Sequence, residues 1–205
     1  MAVLLEYEKA AAMLEKYKIR SAQGKYLKNP EEAAAFVKGG PIVMKAISGK
    51  ALHKTRSGLI VLNVSTADGA RSAFKTLTKN AAKYKPFKIL AQRMVKGGTE
   101  IIIGGSVDPQ FGKMILIGLG GIYVEVFRDF ALRVCPITRQ DAASMLDQLR
   151  SKDIVAPDDA SRRMLAELLM KVSDMIMGND MVELDLNPVI LHDGTYDAVD
   201  LRVLK

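Results

Sequence analysis

Residues 182–203 read VELDLNPVILHDGTYDAVDLRV, and their pattern decides the architecture of the C-terminal half. Side chains alternate along a strand, so Val182, Leu184 and Leu186 share one face while Glu183, Asp185 and Asn187 share the other. The second half repeats this, with Val199, Leu201 and Val203 against Asp200 and Arg202. Asp193-Gly194 between them is a strong two-residue hairpin signal. If those residues form the loop, Asn187 stands opposite Asp200 and Asp185 opposite Arg202. Two hard oxygen donors then meet across a hairpin beside a charge-compensated acid. That set suits Mg²⁺, which takes one or two protein oxygens and leaves its other positions to water and phosphate. An exposed polar sheet face explains the same pattern equally well.

With 205 residues the chain can bury a real core, as one domain or two small lobes. Its hydrophobic share of 49% and charged share of 26% are those of a globular protein. Cys135 is the only cysteine, which excludes an internal disulfide or a cysteine zinc cluster and favours a cytoplasmic setting. The start MAVLLEYEKAAAMLEKYK is too acidic, and its apolar part too short, for a signal peptide. No apolar run reaches membrane-spanning length. A net charge of +7 points to an anionic partner. Nucleic acid is one candidate, but aromatics are only 6% and the basic residues are spread along the chain; phosphorylated small molecules fit as well, and charge alone does not decide.

Periodicity predicts helices over 4–18, from Asn29-Pro30 to Gly39-Gly40, over 66–80, from Thr138 to about 150, and over 158–177. Strands are predicted at 41–47, 59–64 and 88–95. After Lys96-Gly97-Gly98, a candidate hinge, the stretches TEIIIGGS, KMILIG, IYVEVF and ALRVC read as an antiparallel meander. The expectation is an α+β protein of two lobes, 1–95 and 96–205.

Within this frame Lys45 interrupts the apolar run IVMKAI. It either snorkels from an edge strand or binds phosphate as a point charge in a cleft. The glycines of GLGG (118–121) suit a turn or bulge better than a phosphate loop. His192 reads as an exposed turn residue. His53, amid Lys50, Lys54 and Arg56, is either one more polar loop residue or a nucleophile able to carry a phosphoryl group.

VMKAIS, LHKTRSG, AQRMVKGGTEIIIGGSVDPQFG, GLGGIYVEVFRDFALRVCPIT, ELDLNPV and AVDLR occur in one order along nearly the whole chain. In that order they resemble the nucleotide-binding beta subunits of ADP-forming acyl-CoA synthetases, of the ATP-grasp fold. The resemblance implies two α+β lobes with a nucleotide cleft between them. It also implies ATP/ADP and Mg²⁺ as cofactors and a CoA-binding alpha-type partner subunit in a hetero-oligomer. By position, Lys45 resembles the phosphate-binding lysine, Gln92 to Val95 the linker whose backbone meets adenine, and Glu100 the acid near the ribose. Asn187 and Asp200 match the Mg²⁺ ligands, the pair the hairpin register gives independently. His53 matches the phosphate-carrying histidine, and Asp185 an acid where that histidine docks. The chain departs from the family at Arg56, Leu59 and Arg93 and in a shortened segment at 151–157. A nucleotide-binding module without turnover is the alternative these departures leave open.

Overall fold

The computed structural model describes residues 3–49, 58–121 and 129–205, which form two units: 22–95, and 1–21 together with 96–205. The division at Val95/Lys96 falls at the candidate hinge. The boundary expected for the N-terminal lobe does not hold, because residues 1–21 join the larger unit. The cause is pairing with the C-terminus: Leu4 bridges Leu204, the Leu5 amide donates to the Val203 carbonyl (2.8 Å), and Ala10 and Leu14 lie in the large core.

The small unit has one antiparallel sheet of β1 (Gly24–Leu27), β4 (Lys88–Arg93), β2 (Ile42–Ile47) and β3 (Ile60–Val64), in that spatial order. Helices α2 (Pro30–Phe36) and α3 (Ala67–Ala81) cover one face. Each helix starts at a side-chain cap: Asn29 accepts from the Glu32 amide (2.9 Å), and Thr66 from the Gly69 amide (3.0 Å). Ala70, Ala73, Leu77 and Ala81 recur at helical spacing and meet Ile42, Met44 and Ala46 of β2 and Ile89 and Ala91 of β4. β1 carries too little apolar pattern to be read from sequence.

Leu59 belongs to this core and is fully buried, which explains why an apolar residue stands there. Leu59→Ala should destabilise the protein by about 2–5 kcal/mol, transfer and cavity terms together. A urea midpoint indistinguishable from the parent would refute that packing.

The large unit is built on a sheet ordered β10 (Leu201–Leu204), β8 (Glu183–His192), β5 (Thr99–Asp108), β6 (Gly112–Leu119) and β7 (Phe130–Val134), with β9 (Thr195–Ala198) also pairing β8. The meander survives as β5–β6–β7, whereas IYVEVF falls within 122–128, outside the described residues. α1 (Tyr7–Lys16, shorter than the expected 4–18), α4 (Arg139–Gln148), α5 (Lys152–Val155) and α6 (Asp159–Met177) complete the unit. α4 begins with the capping box expected from Thr138 and Asp141. Ile101, Ile103, Ile115, Ile117, Leu184 and Leu186 face the helices, where Leu165, Leu169, Val172 and Ile176 meet them. Gly105 allows this contact, since a Cβ there would lie 2.6 Å from Ile176 Cδ1. The Lys113 ammonium closes the far end of α6 by donating to the carbonyls of Ile176 (2.9 Å), Met177 (3.2 Å) and Asn179 (2.8 Å).

Charge divides along the same line as packing. Residues 22–95 hold fourteen lysines and arginines against three acids, Glu31, Glu32 and Asp68, while the large unit holds sixteen against twenty. The net charge of +7 is therefore the sum of +11 in residues 22–95 and −4 in the rest, a difference set mainly by where the acids lie. No helix among the described residues is long and apolar enough to cross a membrane.

Candidate functional site

The hairpin register follows the sequence arithmetic. His192 pairs Thr195 across Asp193 (φ 46°) and Gly194 (φ 70°), both left-handed as the two-residue turn requires. Beyond Ala198 the pairing resumes with Leu186 opposite Leu201 and Asp185 opposite Arg202. Between these ladders the Asn187 amide donates to the Asp200 carbonyl (3.2 Å), so these residues stand opposite each other. Leu184 and Leu186 face the helices, leaving Asp185 and Asn187 on the helix-free face with Gly104 of β5 beside Asp185. Asn187 is exposed, and Asp185 and Asp200 are half-buried. An amide oxygen and a carboxylate, accessible and across one register step, fit a hard divalent cation completed by phosphate and water. Among the described residues no three His, Cys, Asp or Glu side chains form a metal cage. Arg202 contacts the Glu183 carboxylate (3.4 Å), one step along from Asp185.

In the small unit, Lys45 lies on β2, which is flanked by β4 and β3. It is only 6% exposed, so the edge-strand reading is excluded. Its neighbours Met44 and Ala46 enter the helix-covered core, which puts Lys45 on the opposite face. Gln92, 1% exposed, pairs Val43 and shares that face. Past Arg93 the Met94 amide donates to the Pro41 carbonyl (3.0 Å), which anchors the linker one residue before Val95.

Arg93 turns back onto its own unit. Its guanidinium lies 4.2 Å from the centre of the Phe36 ring and donates to the Gly40 carbonyl (3.0 Å). It fills the space beside Gly39, where a Cβ would lie 2.2 Å from an Arg93 nitrogen. The departures at Arg93 and Leu59 are thus taken up in packing within the small unit. The shortened 151–157 segment contains α5 and is held by Asp129, which accepts from the amides of Arg150 (2.9 Å) and Ser151 (2.8 Å) and from the Ser151 hydroxyl. Burial opposes ionisation of Asp129, but the Ser151 and Arg150 hydrogen bonds outweigh it and hold the carboxyl below the ordinary range.

Glu100 is exposed at the start of β5, on the helix-free face. His53 and Arg56 lie outside the described residues. His192 differs from the exposed turn residue expected: its ring is 20% exposed and its Nε2 lies 2.9 Å from Asp197, which also contacts Arg20 (3.4 Å). The signal was available in the hairpin register, which makes His192 and Asp197 diagonal neighbours.

The small unit has a buried lysine on an interior strand, chemistry suited to a phosphate. The large unit has paired hard oxygens on a hairpin, chemistry suited to a divalent cation. The chain belongs to the ATP-grasp domain family, whose pattern matches residues 2–204. It is similar to the acetate–CoA ligase (ADP-forming) I subunit beta of Pyrococcus furiosus, at 34% identity over 95% of this chain and 89% of that one. Among solved structures it resembles the dinucleotide-forming acetyl-coenzyme A synthetase 1 of Ca. Korarchaeum cryptofilum in complex with coenzyme A, Ca-AMPCP and HgCl+. That likeness has a TM-score of 0.89 and 30% identity, covering 98% of this chain and 93% of the other. A second form of that enzyme, with coenzyme A and Mg-AMPPCP and its phosphohistidine segment pointing towards the nucleotide binding site, gives 0.84 and 29% over 98% and 92%.

Proposed function

We propose that this chain is the nucleotide-binding subunit of an ADP-forming acyl-CoA synthetase. With a CoA-binding partner subunit it interconverts acyl-CoA, ADP and phosphate with a carboxylic acid, ATP and CoA. The observation that carries this reading is the Asn187–Asp200 pair, fixed by hairpin register and placed on the helix-free face. A Mg²⁺ held there would neutralise charge on the phosphates. The Lys45 ammonium binds the diphosphate, the backbone of Gln92 to Val95 receives adenine, and the Glu100 carboxylate receives the ribose. His53 delivers the phosphoryl group: its N–P bond breaks as a terminal ADP oxygen forms the new O–P bond, and Asp185 helps position the imidazole. Catalysis of this kind rests on positioning and charge stabilisation. The excess of fourteen cations over three acids in the small unit favours capture of a polyanionic nucleotide. Leu59 and Arg93 act in packing, not on the face that carries Lys45, which supports a chain that retains turnover.

Lys45→Met keeps the apolar stem and removes the charge. It should weaken Mg-ADP binding by about 1–3 kcal/mol, the range for a charge-assisted hydrogen bond to phosphate. Isothermal titration checks this, and an unchanged affinity would make Lys45 a structural residue only.

A further inference from the structure

The GLGG turn has a specific geometric reason in the fold, and it concerns Glu100. The Gly120 amide donates to the Glu100 carbonyl (2.7 Å), and a Cβ on Gly120 would lie 2.9 Å from that same carbonyl group. Gly121 adopts φ +71°, and a Cβ on it would stand 3.0 Å from Glu100 Oε2. The turn after β6 therefore wraps the first residues of β5 at both levels, backbone through Gly120 and side chain through Gly121. Glu100 shares the helix-free face with Asp185 and Asn187. It lies opposite Ile190, and because Asn187 and Pro188 together span the single β5 residue between Ile101 and Ile103, Asn187 stands about two residues of β5 away, roughly 7 Å. That separation suits a ligand with its sugar at one end and its phosphates at the other.

We infer that Gly121 is a positioning residue for ribose recognition: its missing side chain leaves the space in which the Glu100 carboxylate stands to meet the sugar hydroxyls. This rests on the nucleotide-binding reading and extends it to a residue outside the ligand contacts. The contact with a side chain at 121 is relieved when the exposed tip of Glu100 swings away, while the left-handed backbone adds a separate strain that is smaller for asparagine than for alanine. The swing removes the carboxylate from the ribose and leaves the phosphate and cation contacts in place.

The experiment compares Mg-ADP with Mg-2′-deoxy-ADP and Mg-3′-deoxy-ADP by isothermal titration, in wild type, Glu100→Ala, Gly121→Ala and Gly121→Asn. Wild type should prefer ADP over at least one deoxynucleotide by about tenfold, as expected for a hydrogen bond to a charged group. Both Gly121 variants should lose most of that preference through weaker ADP binding, with deoxynucleotide affinity unchanged within about twofold. Asparagine tolerates the left-handed backbone better than alanine, so a loss confined to Gly121→Ala would report backbone strain and overturn the inference. If Glu100→Ala loses the preference and Gly121→Asn keeps it, the ribose contact stands and the role of Gly121 falls. If wild type shows no preference and Glu100→Ala binds ADP equally well, the ribose assignment fails and the inference with it. A measurement free of variants is amide exchange over 118–121 in wild type. Mg-ADP should protect this turn more than the disfavoured deoxynucleotide does, and equal protection would overturn the inference.

Discussion

His53→Ala should abolish acid-labile labelling of this polypeptide by γ-labelled Mg-ATP, while wild type takes up label and returns it to ADP. Transfer between a histidine nitrogen and a terminal diphosphate oxygen is reversible, so ATP can load the site from the nucleotide side. With acetyl-CoA and labelled phosphate, the same histidine should be loaded only when a CoA-binding partner subunit is present. The expected effect is complete, because no other described histidine can replace it: His192 is held by Asp197 at the tip of the β8–β9 hairpin. Label on His53→Ala equal to that on wild type would show that the phosphoryl group travels by another residue. No label on wild type from either side would favour a nucleotide-binding module without turnover.

Asn187→Ala and Asp200→Ala should each weaken Mg-nucleotide binding strongly while leaving the melting temperature within a few degrees. Losing one of two protein oxygens removes a charge-assisted contact, about 1.5–3 kcal/mol, or roughly 10- to 150-fold in affinity. Little packing is lost, because Asn187 is exposed and Asp200 half-buried on the face away from the helices. Nucleotide without added cation separates the explanations, since the variants should differ from wild type only when Mg²⁺ is present. Wild-type affinity for Mg-ADP in both variants would remove the hairpin from the site. The double variant should fall short of the sum of the single ones, because both oxygens serve one cation.

The chain's own order determined whatever depends on neighbours within a turn or hairpin. Asp193-Gly194 fixes the pairing of Asn187 with Asp200, because a two-residue loop permits one register and the side-chain period of two then assigns every face. Asn29, Thr66 and the Thr138–Asp141 box start their helices by bonding amides three residues on, which also reads locally. Tertiary structure decided what depends on partners far along the chain. Lys45 becomes an interior residue only because β4 and β3 close on both sides of β2. Residues 1–21 join the large unit because strands at the far end of the chain offer them paired amides and an apolar face. Arg93 settles on Phe36 and Gly40, and the GLGG turn on Glu100, through contacts between segments some twenty to sixty residues apart. Local hydrogen bonds and alternation carry no information about such distant segments. They meet only when the burial of separate apolar faces draws their strands and helices into the same core.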